Sequence, residues 1–251
     1  TRDSVASEQA GSWNERRNPV SLRASLAAIF VSKDSDNSTG PQTRRRQQRS
    51  IATRNKLLDA AIAAFAANGF KATSTRAIAE RAGVHHPLIT YHFKNKDQLW
   101  RAAADRIFRE FNISLVKAMA EVPEIDPKAR AEVFIRTYVK YAYEQPALHK
   151  IILLESSYPS KRLDWLVESH LKPLYEMVVG QLIKLQELGV SPPGNPALLY
   201  NMIRVSAGGL LALGLEVRGT SSFDFEDAEQ RDELADMIIR VFLPGDASPV
   251  N

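Results

Sequence analysis

The chain has 251 residues, 44% of them hydrophobic, and no cysteine, so it can bury a sizeable core but forms no disulfide and offers no thiolate. Its net charge of +4 is unevenly distributed, because residues 41–96 hold eleven Lys and Arg against two acidic residues, a net charge of +9. A basic segment on an otherwise acidic chain is typical of a nucleic-acid-binding module, with a solvated basic face as the alternative.

No apolar stretch approaches the roughly 20 residues that a membrane-spanning helix needs. The longest stretch, residues 205–215, is bounded by Arg204 and Glu216 and predicts a buried helix. The apolar piece at residues 26–31 is too short and too far from the first residue to be typical of a signal peptide. We therefore expect a cytoplasmic protein without a membrane partner.

The first part of the chain, residues 1–42, is rich in Ser, Asn, Asp and Gly, which predicts a disordered extension. Apolar side chains at helical spacing in residues 22–30 leave a short amphipathic helix as an alternative. The next segment, T-R-R-R-Q-Q-R at residues 43–49, is basic and has no apolar side chain. Such an arm contacts phosphates or enters the minor groove when it precedes a DNA-binding unit, and a flexible linker is the alternative.

A first regular helix is predicted at residues 53–68, where Leu57, Ala61 and Phe65 recur four apart and Gly69 follows as a stop.

Residues 73–97 read T-S-T-R-A-I-A-E-R-A-G-V-H-H-P-L-I-T-Y-H-F-K-N-K-D and predict two short helices joined by a tight turn. Thr75 is the expected N-cap of the first helix, and Gly83 supplies a left-handed position at the turn. The second helix, roughly residues 87–92, tolerates Pro87 in its first turn. The pattern indicates a helix-turn-helix whose second helix enters the major groove; an ordinary corner between two helices is the alternative.

The rest of the chain shows helical periods separated by Pro and Gly. Asn95 is the expected N-cap of a long helix to about Ala120, and Pro173 is expected to kink a later one. No alternating strand pattern is present, so the predicted fold is all-α, with three N-terminal helices and a body of about six. The body helices are expected near residues 95–120, 126–144, 148–156, 161–188, 196–217 and 226–243.

Three stretches closely resemble the DNA-binding domain of the tetracycline-repressor (TetR) family of bacterial regulators: L-L-D-A-A-I-A-A-F-A-A-N-G-F, A-T-S-T-R-A-I-A-E-R-A-G-V and L-I-T-Y-H-F-K-N-K. The resemblance implies a basic arm and DNA-binding domain at residues 43–97, an effector-binding and dimerisation domain at 98–245 and a tail at 246–251. It also implies a homodimeric repressor that binds a palindromic operator in double-stranded DNA and is released by a small-molecule effector.

The resemblance further implies roles for individual residues of the helix-turn-helix. Residues implied to contact mainly the DNA backbone are Thr75, Tyr91, His92 and Lys96, and those implied to face the groove are His85, His86, Pro87, Leu88 and Thr90. The predicted DNA-binding set also includes the basic residues Arg44, Arg45, Arg46, Arg76 and Lys94. Thr90 stands where the family often has an aromatic residue, and Pro87 where Gly is common, which leaves the individual base contacts open.

A body cavity for the effector is implied in the same way, and core packing is the alternative for each residue that could line it. The predicted lining is Phe111, Phe134, Tyr138, Tyr141, His149, Trp165, His170, Met177 and Asn201. Glu155 and Arg204 are further polar groups that would suit such a cavity.

The last two helices are the expected dimer interface, because residues 205–215 are apolar all round and contain three glycines that would let another helix approach closely. The predicted interface residues are Val205, Gly208, Gly209, Leu213, Leu234, Ile238, Val241 and Phe242. The alternative is that this glycine-rich helix lies at the centre of one chain's own core.

No catalytic, metal-binding or cofactor-binding set is recognisable, since His149 and His170 lack a second ligand at a metal-binding spacing. We therefore expect neither an enzyme nor a bound cofactor or metal. The rival hypotheses are a DNA-architectural protein without an effector and a helical-bundle enzyme.

Overall fold

The computed structural model describes residues 41–245, and that range contains helices and no strand, as the sequence predicts. The predictions for residues 1–40 and for the tail at 246–251 lie outside the described residues.

Helix α1, Pro41–Ala72, begins much earlier than predicted. The basic segment at residues 43–49 is its first part, so the predictions of a separate arm and of a helix start near Thr53 were wrong. Gln and Arg are good helix formers and Pro is favoured in a first helical turn, which accounts for the early start. The predicted stop at Gly69 is present, because this residue has φ 69° and ψ 177° and bends the chain before the last helical turn.

Helices α2, Thr75–Ala82, and α3, Pro87–Phe93, form the predicted pair. The N-cap of α2 is Ser74 rather than Thr75, since the Ser74 hydroxyl oxygen accepts a hydrogen bond from the Ala77 amide at 3.0 Å. Ser74 has the extended backbone that an N-cap requires, whereas Thr75 is already helical.

Helix α4, Lys96–Ala120, connects the first three helices to the body. It begins at the predicted cap, where the Asn95 side-chain oxygen accepts from the Gln98 amide at 2.9 Å. One side of α4 packs on α1, and its later turns pack on α5, Pro127–Glu144. The Tyr141 hydroxyl joins α5 to α4 by donating to the Ile107 carbonyl oxygen at 2.8 Å.

The middle of the body consists of α6, Ala147–Ser156, α7, Lys161–Leu166, and α8, Lys172–Glu187. A π-helical segment, Val167–Leu171, joins α7 to α8 directly before Pro173, where a kink was predicted.

The predicted helix at 196–217 is interrupted. It consists of α9, Pro196–Arg204, a π-helical segment, Val205–Gly209, and the short helices α10, Leu210–Ala212, and α11, Gly214–Thr220. Two adjacent glycines in the π-helical segment and a break at Leu213 account for the difference. The last helix, α12, is Ala228–Phe242.

No single helix within residues 41–245 is long and apolar enough to cross a membrane. The stretches Pro196–Ala212 and Gly214–Thr220 reach the required length and composition only together, and they are bent by 81° at the break.

Candidate nucleic-acid interface and effector site

The angle between α2 and α3 is held by a turn and a small apolar core. Gly83 has φ 63° and ψ 38°, a left-handed conformation that a residue with Cβ adopts at a cost. The Val84 amide then donates to the Ala79 carbonyl oxygen at 3.0 Å. Because Ile78 and Ile89 are both almost fully buried between the helices, α3 is presented as a rigid element.

The outer face of α3 carries most of the residues predicted to contact DNA. His85, Pro87 and Thr90 are exposed, and the Tyr91 side chain is 72% exposed. Leu88 is half-buried at the edge of this face. The arrangement offers hydroxyl, imidazole and aromatic groups at the N-terminal end of a helix, which is the geometry that major-groove recognition uses.

His86, the neighbour of His85, makes a side-chain hydrogen bond within the protein. Its Nε2 atom is 3.0 Å from the Thr75 hydroxyl oxygen, so a predicted groove contact and a predicted backbone contact are hydrogen-bonded to each other. His86 thus connects the start of α2 to the start of α3, and both histidines are exposed.

His92 is half-buried at the C-terminal end of α3. Burial, with a smaller contribution from the positive charge of Arg54, lowers the pKa of His92. The neutral ring therefore offers a single N–H donor. Arg54 lies over the Phe93 ring at 5.1 Å and adds an exposed cation to this surface that sequence reasoning missed.

Lys96 does not extend freely from the surface, which disfavours the predicted phosphate contact. Its Nζ atom is 4.4 Å from the centre of the Phe70 ring and 3.5 Å from the Lys71 carbonyl oxygen. Burial and then the charge of Arg162 lower the pKa of Lys96. Lys94 is exposed at a positive φ of 62°, so it offers its charge outward from the end of α3.

The remaining predicted cations are exposed. Arg76 makes only a long contact of 3.9 Å with Glu80, in which both side chains are largely solvated. Arg44, Arg45, Arg46 and Arg49 are all exposed on the first turns of α1. The described part of α1, α2 and the end of α3 therefore carries exposed cations that can meet phosphates.

Comparison with known proteins decides the family. Residues 57–103 match the family described as bacterial regulatory proteins, tetR family. The chain is 36% identical over 84 residues to the HTH-type transcriptional regulator TtgR of Pseudomonas putida (strain DOT-T1E), covering 34% of this chain and 40% of TtgR. It is 22% identical over 205 residues to the HTH-type transcriptional regulator RutR of Escherichia coli (strain K12), covering 81% of this chain and 95% of RutR.

The chain contains a TetR-family DNA-binding domain at residues 57–103. It is a DNA-binding transcriptional regulator, and regulators of this kind are not enzymes. The crystal structure of AibR in complex with isovaleryl coenzyme A and operator DNA has the same fold, with a TM-score of 0.61 and 14% identity over 76% of this chain and 98% of AibR. The resemblance predicted from three stretches is thereby confirmed.

The body of the chain gathers five of the predicted effector residues in one aromatic cluster on α4, α5 and α6. Phe111 contacts the rings of Tyr138 and Tyr141 with centroids 5.6 and 5.3 Å apart, and Phe134 stacks on Tyr138 at 6.1 Å. The Tyr138 hydroxyl oxygen is 2.7 Å from Nε2 of the buried His149.

The other four predicted effector residues lie elsewhere. The His170 Nε2 atom is 2.9 Å from an Asp105 oxygen, and Trp165 packs edge-on against the His170 ring. Met177 is half-buried on α8. Asn201 is exposed and its amide donates to the Ala197 carbonyl oxygen of its own helix at 2.9 Å. The nine residues therefore do not form one cluster of contacts.

A groove of about 360 Å³ lies between α5 and α12. None of the nine predicted effector residues lines this groove. Its lining is mainly charged and polar: Arg136, Thr137, Val139, Lys140, Tyr143, Glu144, Ala228, Arg231, Asp232 and Ala235.

A charged cluster that sequence reasoning missed connects the body to α1. The Arg162 guanidinium is 3.7 Å from the centre of the Phe70 ring and 3.0 Å from a carboxylate oxygen of Glu155. The Ser160 hydroxyl also donates to Glu155 and accepts from the Leu163 amide. No sequence signal predicts these contacts, because the residues come from separate elements.

The eight predicted interface residues divide into two groups. Gly208, Leu234, Ile238 and Phe242 are buried in the chain's own core, where α12 packs on α5. Gly208 packs within its own chain, since a Cβ atom there would lie 1.9 Å from Nε2 of His149.

The second group is at the surface. Val205 and Val241 are 54% and 59% exposed, Leu213 is exposed, and Gly209 is half-buried beside Val205. Three further apolar side chains on α9 and α12 are exposed and were missed: Leu198, Met202 and Met237. Met202 follows Leu198, and Val241 follows Met237, at a spacing of four, so each pair lies on one helix face.

The part of the chain that the structure describes contains no group of three or more His, Asp or Glu residues that could hold a metal ion.

Proposed function

We propose that this TetR-family regulator is a repressor that binds a palindromic operator as a homodimer and is released by a small-molecule effector bound in its body. It then acts in the cytoplasm, where the operator DNA is accessible. The observation that carries the proposal is the exposed face of α3, together with the exposed cations on α1, on α2 and at the end of α3.

The homodimer is supported by the exposed apolar residues of α9 and α12. The two helices contact each other, and Met202, Val205 and Val241 are exposed on them or directly after α9. Isolated exposed apolar residues are common, whereas several on two adjacent helices mark an interaction surface. A second copy of the same chain is the occupant that a palindromic operator requires, since a two-fold protein matches a two-fold site.

Release by an effector is supported by how α4 and the Arg162 cluster link the two parts of the protein. Phe111 and Ile107 lie on the same helix as Leu99 and Trp100, and that helix packs on α1. A change in the aromatic cluster therefore has a rigid element along which to act on α1–α3. The complex of AibR with both isovaleryl coenzyme A and operator DNA gives a precedent for two such ligands on this fold.

Selection of genomic fragments by the purified protein tests the proposal. We expect a palindromic consensus whose half-sites are about one helical turn of DNA, roughly 34 Å, apart or a multiple of it. Fragments without any shared sequence would instead support the architectural rival, because that class of protein binds through the backbone and DNA deformability.

A further inference from the structure

Of the two ring nitrogens of His149, Nε2 has a hydrogen-bond partner and Nδ1 has none among the described residues. The residue is only 5% exposed. Its Nε2 edge is occupied by the Tyr138 hydroxyl at 2.7 Å and by Gly208, which leaves no room for a side chain there. Its Nδ1 atom is buried and has no hydrogen-bond partner among the described residues.

This unsatisfied atom is unfavourable in either tautomer of the ring. If Tyr138 donates to Nε2, then Nδ1 carries a proton that needs an acceptor. Burial raises the pKa of Tyr138, so its hydroxyl keeps the proton that such a bond requires. Buried polar groups are usually satisfied, and an exception next to an aromatic cluster points to a missing ligand group.

Arg204 supplies a positive charge in the same part of the body as His149. It lies four residues after the buried Tyr200 and four before Gly208, so the three residues follow one side of α9 and the π-helical segment. Gly208 lies directly against the His149 ring, so Arg204, four residues earlier, belongs to the same part of the body. Burial first, and then the charge of Arg204, lower the pKa of His149.

Arg204 is half-buried, and none of the ion pairs or side-chain hydrogen bonds within residues 41–245 includes it. A guanidinium stays charged at any physiological pH and offers several donors, so an anion is the partner it lacks. The surrounding rings of Phe111, Phe134 and Tyr138 are suited to an apolar group.

We propose that Arg204 and His149 form the polar end of the effector site, and that this site takes a small organic anion, a carboxylate on an apolar body. One carboxylate oxygen accepts from the guanidinium and the other from the Nδ1–H of His149, while the apolar body lies against the aromatic cluster. The inference rests on the proposed function, since it names the chemical class of the same effector.

Calorimetry with defined probes tests this inference on the full chain. The probes are butanoate, hexanoate, octanoate, decanoate and phenylacetate, together with the primary amide of each. Wild-type protein is expected to bind at least one carboxylate about ten times or more tightly than its amide, since the amide lacks the charge. The Arg204→Gln variant is expected to lose about ten- to a hundredfold in affinity for that carboxylate.

Two further variants separate a specific loss from a structural one. Arg109→Gln removes an exposed charge from α4 and is expected to bind the carboxylate as wild type does. Tyr138→Phe removes the hydroxyl that is hydrogen-bonded to His149 Nε2, at little change in volume, and is expected to weaken carboxylate binding. Circular dichroism confirms that each variant keeps its helical content.

The inference is overturned if no carboxylate in the series binds, if amide and carboxylate bind equally, or if Arg204→Gln and Arg109→Gln bind alike. Operator binding without any probe is measured separately on each protein. A protein that binds its palindromic site and is released only by neutral molecules contradicts this inference and leaves the proposed function standing. A protein that no compound of either class releases from DNA contradicts the effector-responsive function itself.

Discussion

The Arg162 guanidinium packs on the Phe70 ring at 3.7 Å, so a residue of the body rests directly on the last turn of the helix that supports α2 and α3. The same guanidinium pairs with Glu155, which is only 8% exposed, and lies 5.9 Å from the Trp100 ring of α4. One side chain therefore contacts α1, α4 and α6. A shift of α6 or α7 against α4 changes these contacts and reaches α1 through them.

Replacing Arg162 by Leu is expected to destabilise the protein by about 3 kcal/mol or more, because it leaves the buried Glu155 carboxylate without its ionic partner. Urea denaturation measures the change. The control is Arg218→Leu, whose pair with Asp224 is long and exposed and is expected to contribute about 1 kcal/mol or less. Equal losses for the two variants would show that the Arg162 pair has no special role.

Replacing Arg44, Arg45, Arg46 and Arg49 together by Gln is expected to weaken DNA binding and flatten its salt dependence. Gln keeps the helix propensity of this part of α1. The slope of log affinity against log salt concentration should decrease in magnitude by about 0.9 for each phosphate that the protein no longer neutralises. The charge-matched control replaces Arg109, Lys117, Lys150 and Lys184, all exposed on the body, by Gln. If both variants change the slope equally, these arginines act only through net charge.

The helix-turn-helix is the part of the site that the sequence predicts best, because its constraints are local. Gly83 requires a left-handed turn, Asn95 caps α4, and the apolar spacing buries Ile78 and Ile89. Most helix boundaries of the body follow from Pro, Gly and capping residues for the same reason. The cap of α2 was misplaced by one residue, since Ser74 and Thr75 are equally suitable by type and only the backbone decides between them.

Relationships between distant elements could not be predicted from one sequence. The π-helical segment at Val205–Gly209 depends on how Gly208 accommodates His149 from another helix. Likewise, the apolar period of α12 does not distinguish the buried Ile238 from the exposed Val241, because packing on α5 selects the buried face. The basic residues 43–49 looked like a loose arm because the helix they extend provides no apolar signal there.

His149 is expected to make the protein less stable in mild acid. Burial and the charge of Arg204 lower its pKa from 6.5 to about 4. Between these values the unfolded state binds a proton that the folded state does not, so the free energy of unfolding decreases as the pH falls through this window. The decrease amounts to about 3 kcal/mol and is absent above pH 6.5.

Urea denaturation at several pH values, on wild type and on His149→Gln, isolates this contribution from the titration of carboxylates. The free energy of unfolding of wild type should decrease relative to that of His149→Gln as the pH falls from 6.5 to 4. A difference that stays constant over this range would contradict the assignment.

Replacing Val241 by Glu is expected to give a folded monomer, because it places a charge in the exposed apolar surface of α9 and α12. Sedimentation velocity reports the oligomeric state, and circular dichroism reports the fold. The matched control is Ile125→Glu, which changes an apolar side chain that is 92% exposed in a loop. A Val241→Glu protein that remains dimeric would place the interface elsewhere.

Two substitutions on the DNA-facing surface are expected to have different effects on the sequence preference of DNA binding. Tyr91→Ala removes an exposed ring at the end of α3 and should weaken binding to every duplex similarly, because phosphate contacts carry no base information. His85→Ala removes an exposed group at the start of α3 and should weaken binding to the palindromic site alone, by about 1–3 kcal/mol. Both are measured by fluorescence anisotropy on a selected palindrome and on a shuffled duplex of equal composition.

The wild-type protein in the same anisotropy experiment tests the central claim most directly. If α3 of two chains recognises a palindrome, the selected duplex should bind about a thousandfold or more tightly than the shuffled one at the same salt concentration, with two chains on each duplex. Equal affinity for the two duplexes, or one chain bound to each palindrome, would contradict the account.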